Sequence, residues 1–276
     1  MGCLIHMKKI INCFLNKMSD KKIIITLILL IFYQFIMFLD VSKEKIQFNV
    51  YDLIIYQFNY LSLFFMLSIG FLIITYNINY NSEFNQYLLL KFNNKKQYFN
   101  INTIIVFITS FLYVLMFNIV AFIESFGKIS LENNWSQFFI NNTTGVVNIH
   151  FDINNINNFL NFVSPLKYTI ILNILVFLYF STLGLLFLMI NSILNKRAIT
   201  LIIIIATICL NMASDSIQAV SNFTFTNNIY ILTSNNFIFS DFNYFYKKLF
   251  YWLIIIVTIY IIGLIIYIKK DYKYGD

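Results

Sequence analysis

Few side chains in this sequence have the chemistry or the spacing of a catalytic or metal site. The 276 residues include two histidines, His6 and His150, and three cysteines, and together these form no metal-ligand pattern and no disulfide framework. The sequence also has no Gly-rich phosphate loop, no Gly-x-Ser-x-Gly turn and no His-Glu-x-x-His motif. The sequence therefore predicts neither an enzyme nor a bound cofactor or metal.

The composition indicates where such a chain resides. Hydrophobic residues make up 59% of it, aromatic residues 19% and charged residues only 11%, with a mean hydropathy of +0.74. Soluble domains carry roughly 25% charged residues. This excludes a soluble enzyme, a disordered chain and a disulfide scaffold, and predicts an integral membrane protein. Lys is abundant, whereas Arg and Pro occur once each, a bias typical of a low-GC bacterial genome.

Six apolar stretches have the length of membrane spans, which need about 17–25 mainly apolar residues. They cover residues 23–39, 53–76, 101–123, 166–190, 198–213 and 249–268. Ser164 and Pro165 form a helix start before the fourth stretch, with Ser as the N-cap and Pro in the first helical position. The sequence therefore predicts an all-α polytopic membrane protein with about six transmembrane helices in a single transmembrane domain.

Neutral polar residues, rather than charged ones, lie inside these stretches. They are Gln34, Gln57, Asn59, Asn118, Asn173, Ser181, Thr182 and Asn211. We expect them to make hydrogen bonds between helices, as such residues do in membranes. Ion-coupled transporters and intramembrane proteases need ionisable groups at depth, whereas the deepest acids here are Glu124 and Asp215, each at the end of a span. If the protein moves a substrate, its energy therefore comes from another polypeptide.

The charges are distributed unequally between the two sides of the predicted bundle. The side with both termini holds 13 of the 19 basic residues, and the opposite side holds 8 of the 12 acidic ones. The segments on the basic side are 1–22, 77–100, 191–197 and 269–276. Because Lys and Arg accumulate in cytoplasmic loops, we expect both termini in the cytoplasm of a bacterial cell with the protein in the cell membrane. The net charge of +7 thus records orientation and predicts no nucleic acid partner.

Segments outside the spans have features of their own. Residues 4–18 form a predicted interfacial helix on membrane lipid, because Met7, Ile11, Phe14, Leu15 and Met18 share one helical face. The outward loops 124–165 and 214–248 are rich in Asn, Phe and Tyr and show no run that could build a domain core. The aromatic residues between 237 and 251 fit either an interfacial belt or a partly re-entrant hairpin.

The segment between the second and third spans, residues 80–98, is the most specific part of the sequence. Tyr87, Leu88 and Lys91 have helical spacing, and Lys95-Lys96 form a basic turn after them. The pattern fits a short amphipathic helix that lies along the membrane and contacts a protein beneath it. A solvated loop on anionic lipid is the alternative.

With this segment the chain resembles the permease subunit of type-2 ABC exporters. In that family the first cytosolic loop has a Glu, then a Leu pair, then a basic turn. Glu83, Leu88-Leu89 and Lys95-Lys96 stand in those places. The short basic loop Asn195-Lys196-Arg197 and the tail Lys269-Lys270 match the family's second cytosolic loop and C-terminal tail.

The resemblance implies a partner and a mechanism. Glu83, Phe84, Tyr87, Leu88 and Lys91 would contact a cytosolic ATPase subunit, which must be a separate polypeptide because this chain has no Walker motif. A second permease copy or a related subunit would complete the pathway. Peptide or another amphipathic substrate would be the cargo, as in peptide export or antimicrobial peptide immunity. The alternative is a stand-alone immunity or scaffold protein that binds a peptide or partner helices without transport.

Overall fold

A computed structural model gives the fold of the protein. It describes residues 14–15, 17–43, 48–78, 95–126, 132–145, 153–217, 219–231 and 239–269. Within these ranges the chain forms helices and no strand. The helices are α1 Lys21–Lys43, α2 Val50–Gln57, α3 Ser68–Ile78, α4 Lys95–Ser125, α5 Gln137–Gly145, α6 Ile153–Phe162, α7 Pro165–Leu194, α8 Arg197–Ala213, α9 Phe225–Ile229 and α10 Asn243–Lys269. A π-helix, Ser62–Leu67, runs directly into α3, and 3₁₀ turns cover Ser214–Ser216 and Ser221–Phe223.

Five of the described helices are long and apolar enough to cross a membrane. They are α1, α4, α7, α8 with its 3₁₀ extension, and α10, and the bent pair of α2 with Ser62–Ile78 makes a sixth if it counts as one span. Each overlaps one of the six predicted stretches. The predicted fold class, an all-α polytopic membrane protein, is confirmed.

Local sequence signals account for both ends of α7. Ser164 is its N-cap, with the hydroxyl accepting a hydrogen bond from the backbone N–H of Lys167 at 3.4 Å, and Pro165 follows in the first turn as predicted. Asn195 ends the helix in the left-handed conformation, with φ of 54°. Asn adopts this conformation more readily than most residues, and the two residues Asn195 and Lys196 are enough to reverse the chain into α8.

Helix α7 is the centre of the bundle. In its most apolar stretch 72% of the residues are buried, against 17% for α1, α8 and α10. The helix packs against α10, α4, α8, α3 and α2. The outer faces of α1, α8 and α10 carry exposed Ile, Leu and Phe side chains, which suits contact with lipid.

The buried contacts of α7 combine one close backbone approach with many aromatic rings. A Cβ atom on Gly184 would lie only 2.5 Å from Cγ1 of Val106 on α4, so the Val106 side chain packs directly on the backbone of α7 at this glycine. Phe180, one turn away, lies 5.0 Å from the ring centroids of both Phe71 and Tyr113. Three spans therefore share one aromatic core next to this approach.

The polar residues of the spans divide into two kinds. Asn118 on α4 and Asn173 on α7 exchange two amide hydrogen bonds of 2.9 and 3.1 Å, which confirms the expectation for that pair. Ser181 and Thr182 instead donate to backbone carbonyls one turn earlier in α7, each at 2.8 Å. For these two the expected contact between helices is wrong, because a short hydroxyl side chain reaches its own helix first.

One end of the bundle is called the basic end here: α3 ends there at Ile78, α4 begins at Lys95 and α10 ends at Lys269. At this end α4 and α10 hold each other through ring contacts and polar bonds. The rings of Tyr98 and Tyr267 stack with centroids 5.9 Å apart, and the Tyr260 hydroxyl donates to Oδ1 of Asn100 at 2.8 Å.

Most of the predicted interfacial helix, residues 4–18, lies outside the described residues. Phe14, Leu15, Lys17 and Met18 are helical. Lys17 is buried rather than exposed to headgroups, and its Nζ donates to Oδ1 of Asn102 on α4 at 3.1 Å. The end of the N-terminal segment is therefore held against the third span by a polar contact.

Candidate functional site

The second predicted span, residues 53–76, is not one continuous helix. Helix α2 ends at Gln57 and the π-helix begins at Ser62, and the two helical parts are bent by 60°. Residues 58–61 are called the break. π-helical turns and broken spans occur frequently at functional sites of membrane proteins, so the break is the candidate site of this protein.

Asn side chains explain where the two half-helices begin. Asn49 caps α2 in a capping box: its side chain accepts from the N–H of Asp52 at 2.9 Å, and its own N–H donates to Oδ2 of Asp52 at 2.6 Å. In the break, Oδ1 of Asn59 accepts from the N–H of Ser62 at 2.9 Å. An Asn side chain thus replaces part of the helical hydrogen bonding without Pro or Gly. The repeated spacing, Asn followed three residues later by Asp or Ser, was the available signal, and the sequence analysis missed it.

The backbone of the break is covered by a distant part of the chain. Phe58 is fully buried, and its carbonyl accepts a hydrogen bond of 2.6 Å from the hydroxyl of Tyr230. Non-helical backbone at membrane depth needs this kind of cover by protein. The hydroxyl of Tyr60 also contacts Oδ2 of Asp215, at 3.3 Å.

Residues 219–231 are called the covering segment, and they are fixed from two sides. The N–H of Phe225 donates to Oδ1 of Asn211, at the end of α8, at 2.7 Å. Nε1 of Trp252 on α10 donates to the carbonyl of Asn228 at 2.9 Å, and Nζ of Lys248 donates to the carbonyl of Asn227. The covering segment is therefore tied to both neighbouring spans and, through Tyr230, to the break.

The aromatic residues around the start of the last span, α10, face in two directions. Phe239 and Tyr244 are buried inside the protein, whereas Tyr246 and Phe250 are exposed on its outer surface. Phe239 lies 5.3 Å from Phe159 of α6, measured between ring centroids. This stretch therefore has an inner part that packs against the loop between α4 and α7 and an outer part of the kind found in an interfacial belt.

The loop between α4 and α7 contains a small aromatic core that the sequence analysis did not predict. Trp135 stacks on Phe139 at 4.1 Å and lies 5.3 Å from Phe159 and 6.0 Å from Tyr168. Nε1 of Trp135 also donates to the carbonyl of Val163 at 2.8 Å. These rings come from separate parts of the chain, so no continuous stretch of the sequence predicts that they form a core.

The predicted ATPase-contact residues, Glu83, Phe84, Tyr87, Leu88 and Lys91, lie outside the described residues. The last four residues of the predicted segment, 95–98, are described and form the first turn of α4. The elements on either side of the segment are the end of α3, which continues from the break, and the start of α4, which packs on α10. Among the described residues no group of three His, Cys, Asp or Glu side chains could hold a metal ion.

Comparison with known proteins adds one relative. The chain is 23% identical over 271 residues to an uncharacterized protein of Halalkalibacterium halodurans, and the alignment covers 97% of this chain and 94% of that protein. No family model and no solved structure matches the chain. The similarity therefore extends along almost the whole of both proteins without attaching a function to either.

Changing Tyr230 to Phe should loosen the break specifically. The substitution removes the donor to the buried Phe58 carbonyl and leaves the ring in place, which we expect to cost about 1 kcal/mol of stability. Hydrogen–deuterium exchange of the amides around residues 58–62 in detergent should rise, and thermal unfolding should begin at a lower temperature. Tyr246→Phe makes the same change at an exposed position and should do neither. Equal behaviour of the two variants would contradict this account of the break.

Proposed function

We propose that this chain is the membrane-spanning permease subunit of an ATP-driven ABC exporter of type 2, energised by a separate cytosolic ATPase. The observation that carries the proposal is the placement of the two helices that flank residues 79–94, a stretch whose sequence includes the family-like residues Glu83 and Leu88-Leu89. On one side α3 leads into the break, and on the other α4 packs on α10. A force applied to the segment would therefore reach three spans.

The contacts around α3 support transmission toward the break. The hydroxyls of Ser68 and Tyr179 lie 2.7 Å apart, joining the start of α3 to the central helix α7. The hydroxyl of Tyr113 on α4 donates to the carbonyl of Leu67 at 2.8 Å. This bond ties the last residue of the π-helix to a neighbouring span. Motion of α3 would thus be transferred to α4 and α7 as well as to the break.

The distribution of charge supports an ATPase on the basic end. That end begins α4 with Lys95 and Lys96, and it has Lys196 as the N-cap of α8 and Arg197 as the first residue of α8. The positive-inside tendency favours a cytoplasmic location for it, in a bacterial cell membrane. ATP hydrolysis would take place on the partner chain, and this subunit would change shape in response.

The cargo we propose is a peptide or another amphipathic molecule, moved along a pathway between this chain and a second copy or a related permease. The spans are aromatic and almost free of charge, which suits such a cargo better than an ion or a sugar. The cargo would be exported by the producing cell or removed from its membrane as part of immunity to an antimicrobial peptide.

Co-purification of an ATPase tests this proposal. The tagged full chain, extracted from its native cells in mild detergent, should carry a stoichiometric ATPase subunit. The double variant Glu83→Ala/Leu88→Lys should lose most of that ATPase, because it removes a charge and an apolar contact from the proposed contact surface. The matched control Glu132→Ala/Ile217→Lys makes the same changes at exposed positions on the opposite end and should retain the ATPase.

A different result would favour the other candidate. If the wild-type chain is recovered intact with no ATPase, or if both double variants keep the ATPase equally, the proposed contact is wrong. A stand-alone immunity or scaffold protein, binding a peptide or partner helices without transport, would then be the better account.

A further inference from the structure

A small cavity lies between α1, α2 and α4, beside the last turn of α2. Its walls include Gln34 and Met37 of α1, Gln57 of α2, and Ala121 and Glu124 of α4. The space open to the centre of a water molecule is about 10 Å³. A space of this size accommodates about one water molecule.

Two buried amide atoms of residues that line this cavity have no hydrogen-bond partner within the part of the chain that the structure describes. Nε2 of Gln34 uses both of its hydrogens, donating to Oε1 of Gln57 at 2.6 Å and to the carbonyl of Phe117 at 2.8 Å. Oε1 of Gln34 and Nε2 of Gln57 are left unpaired, although the two residues are only 3% and 4% exposed. The carbonyl of Phe117 fixes the orientation of the Gln34 amide, since a flipped amide would place two acceptors together.

We propose that this cavity is a binding site for a single water molecule that links α1, α2 and α4. The water accepts a hydrogen bond from Nε2 of Gln57, donates one to Oε1 of Gln34 and has its second hydrogen available for the carboxyl of Glu124. Leaving a buried donor and a buried acceptor unpaired costs more than immobilising one water. A metal cation fits less well, because the amide hydrogens of Gln57 would face it.

The position of this water gives it a role in the break. Gln57 is the last residue of α2, and the break begins at Phe58. The water would hold the end of the first half-helix to α1 and α4 on one side, while Tyr230 holds the carbonyl of Phe58 from another. This inference does not depend on the proposed exporter function.

Radiolytic hydroxyl-radical labelling tests for the water directly, because bound waters split by X-rays oxidise the side chains next to them. Met37 lines the cavity, whereas Met66 is 54% exposed on the apolar outer face of the bundle. In the full chain in lipid nanodiscs, Met37 should be oxidised clearly faster than Met66, because an ordered water would lie beside Met37.

Two double variants provide the controls. Gln34→Leu/Gln57→Leu removes the polar partners of the water and should lower the oxidation rate of Met37 to that of Met66. Asn118→Leu/Asn173→Leu removes another amide pair in the spans and should leave the rate of Met37 unchanged. Equal oxidation rates for Met37 and Met66 in the wild-type chain would overturn the proposal. Because this comparison uses only the wild-type chain, it remains valid even if a variant fails to fold. The proposal would also be overturned if the oxidation rate of Met37 stayed the same in Gln34→Leu/Gln57→Leu.

Discussion

Replacing Trp252 by Ala should lower the free energy of unfolding by about 3–5 kcal/mol, the usual cost of removing a large buried aromatic side chain. Trp252 is fully buried, with its ring centroid 5.6 Å from that of Phe225 and 5.9 Å from that of Tyr179. Its indole N–H also donates to the carbonyl of Asn228. The substitution therefore creates a cavity and releases the covering segment from α10 at the same time.

Thermal unfolding of the detergent-solubilised protein measures this effect, followed through the remaining Trp135. Trp252→Phe is the matched control, because it keeps an aromatic ring and loses the indole N–H, and it should cost clearly less. Limited proteolysis within residues 219–231 should accelerate in Trp252→Ala. A Trp252→Ala variant as stable and as protease-resistant as the wild type would show that the covering segment is held by other contacts.

Replacing Gly184 by Ala should destabilise the bundle where Val106 of α4 packs on α7. The new methyl group would lie 2.5 Å from Cγ1 of Val106, and the β-branched valine cannot turn away without leaving its preferred rotamer. We expect a loss of about 1–3 kcal/mol, as for other cases of overpacking. The effect should appear as a lower midpoint of thermal unfolding.

A compensating change tests the cause of that loss. Val106→Ala removes the obstructing methyl groups, so the double variant Gly184→Ala/Val106→Ala should be more stable than Gly184→Ala alone. Gly263→Ala is a comparison at a looser position, where the nearest atom to the new methyl would be Cζ of Phe99 at 3.0 Å. If Val106→Ala fails to rescue the variant, or if both glycine variants lose the same stability, the close approach of α4 and α7 is not the reason.

The parts of the fold that follow from local chemistry could be predicted from the sequence. Span lengths follow from apolar runs, and the start of α7 follows from Ser164 and Pro165. That Asn118 and Asn173 each bond to another helix also follows from the sequence, since amide side chains inside spans make hydrogen bonds between helices. The sequence pattern gave the tendency of these two residues to pair, and only the structure supplied the partner.

The candidate site depends on contacts between distant residues, and for that reason it was not predicted. The break, residues 58–61, contains no Pro or Gly that would predict it. The carbonyl of Phe58 in the break accepts its hydrogen bond from Tyr230, which is 172 positions away. The cavity at Gln34 and Gln57 likewise needs three helices to form. A hydropathy pattern shows how long and how apolar a stretch is. It shows neither a hydrogen bond to a distant residue nor a bend in the helix. The contact residues Glu83, Phe84, Tyr87, Leu88 and Lys91 stay a prediction.

Mass measurement of the intact complex tests the central claim most directly. Native mass spectrometry of the wild-type protein, purified from its native cells in mild detergent, gives the number of each chain present. The proposed function predicts this permease together with a second permease chain and an ATPase chain in equal number to the permeases. Recovery of the chain alone, or only with copies of itself, would contradict the claim that a partner ATPase powers it.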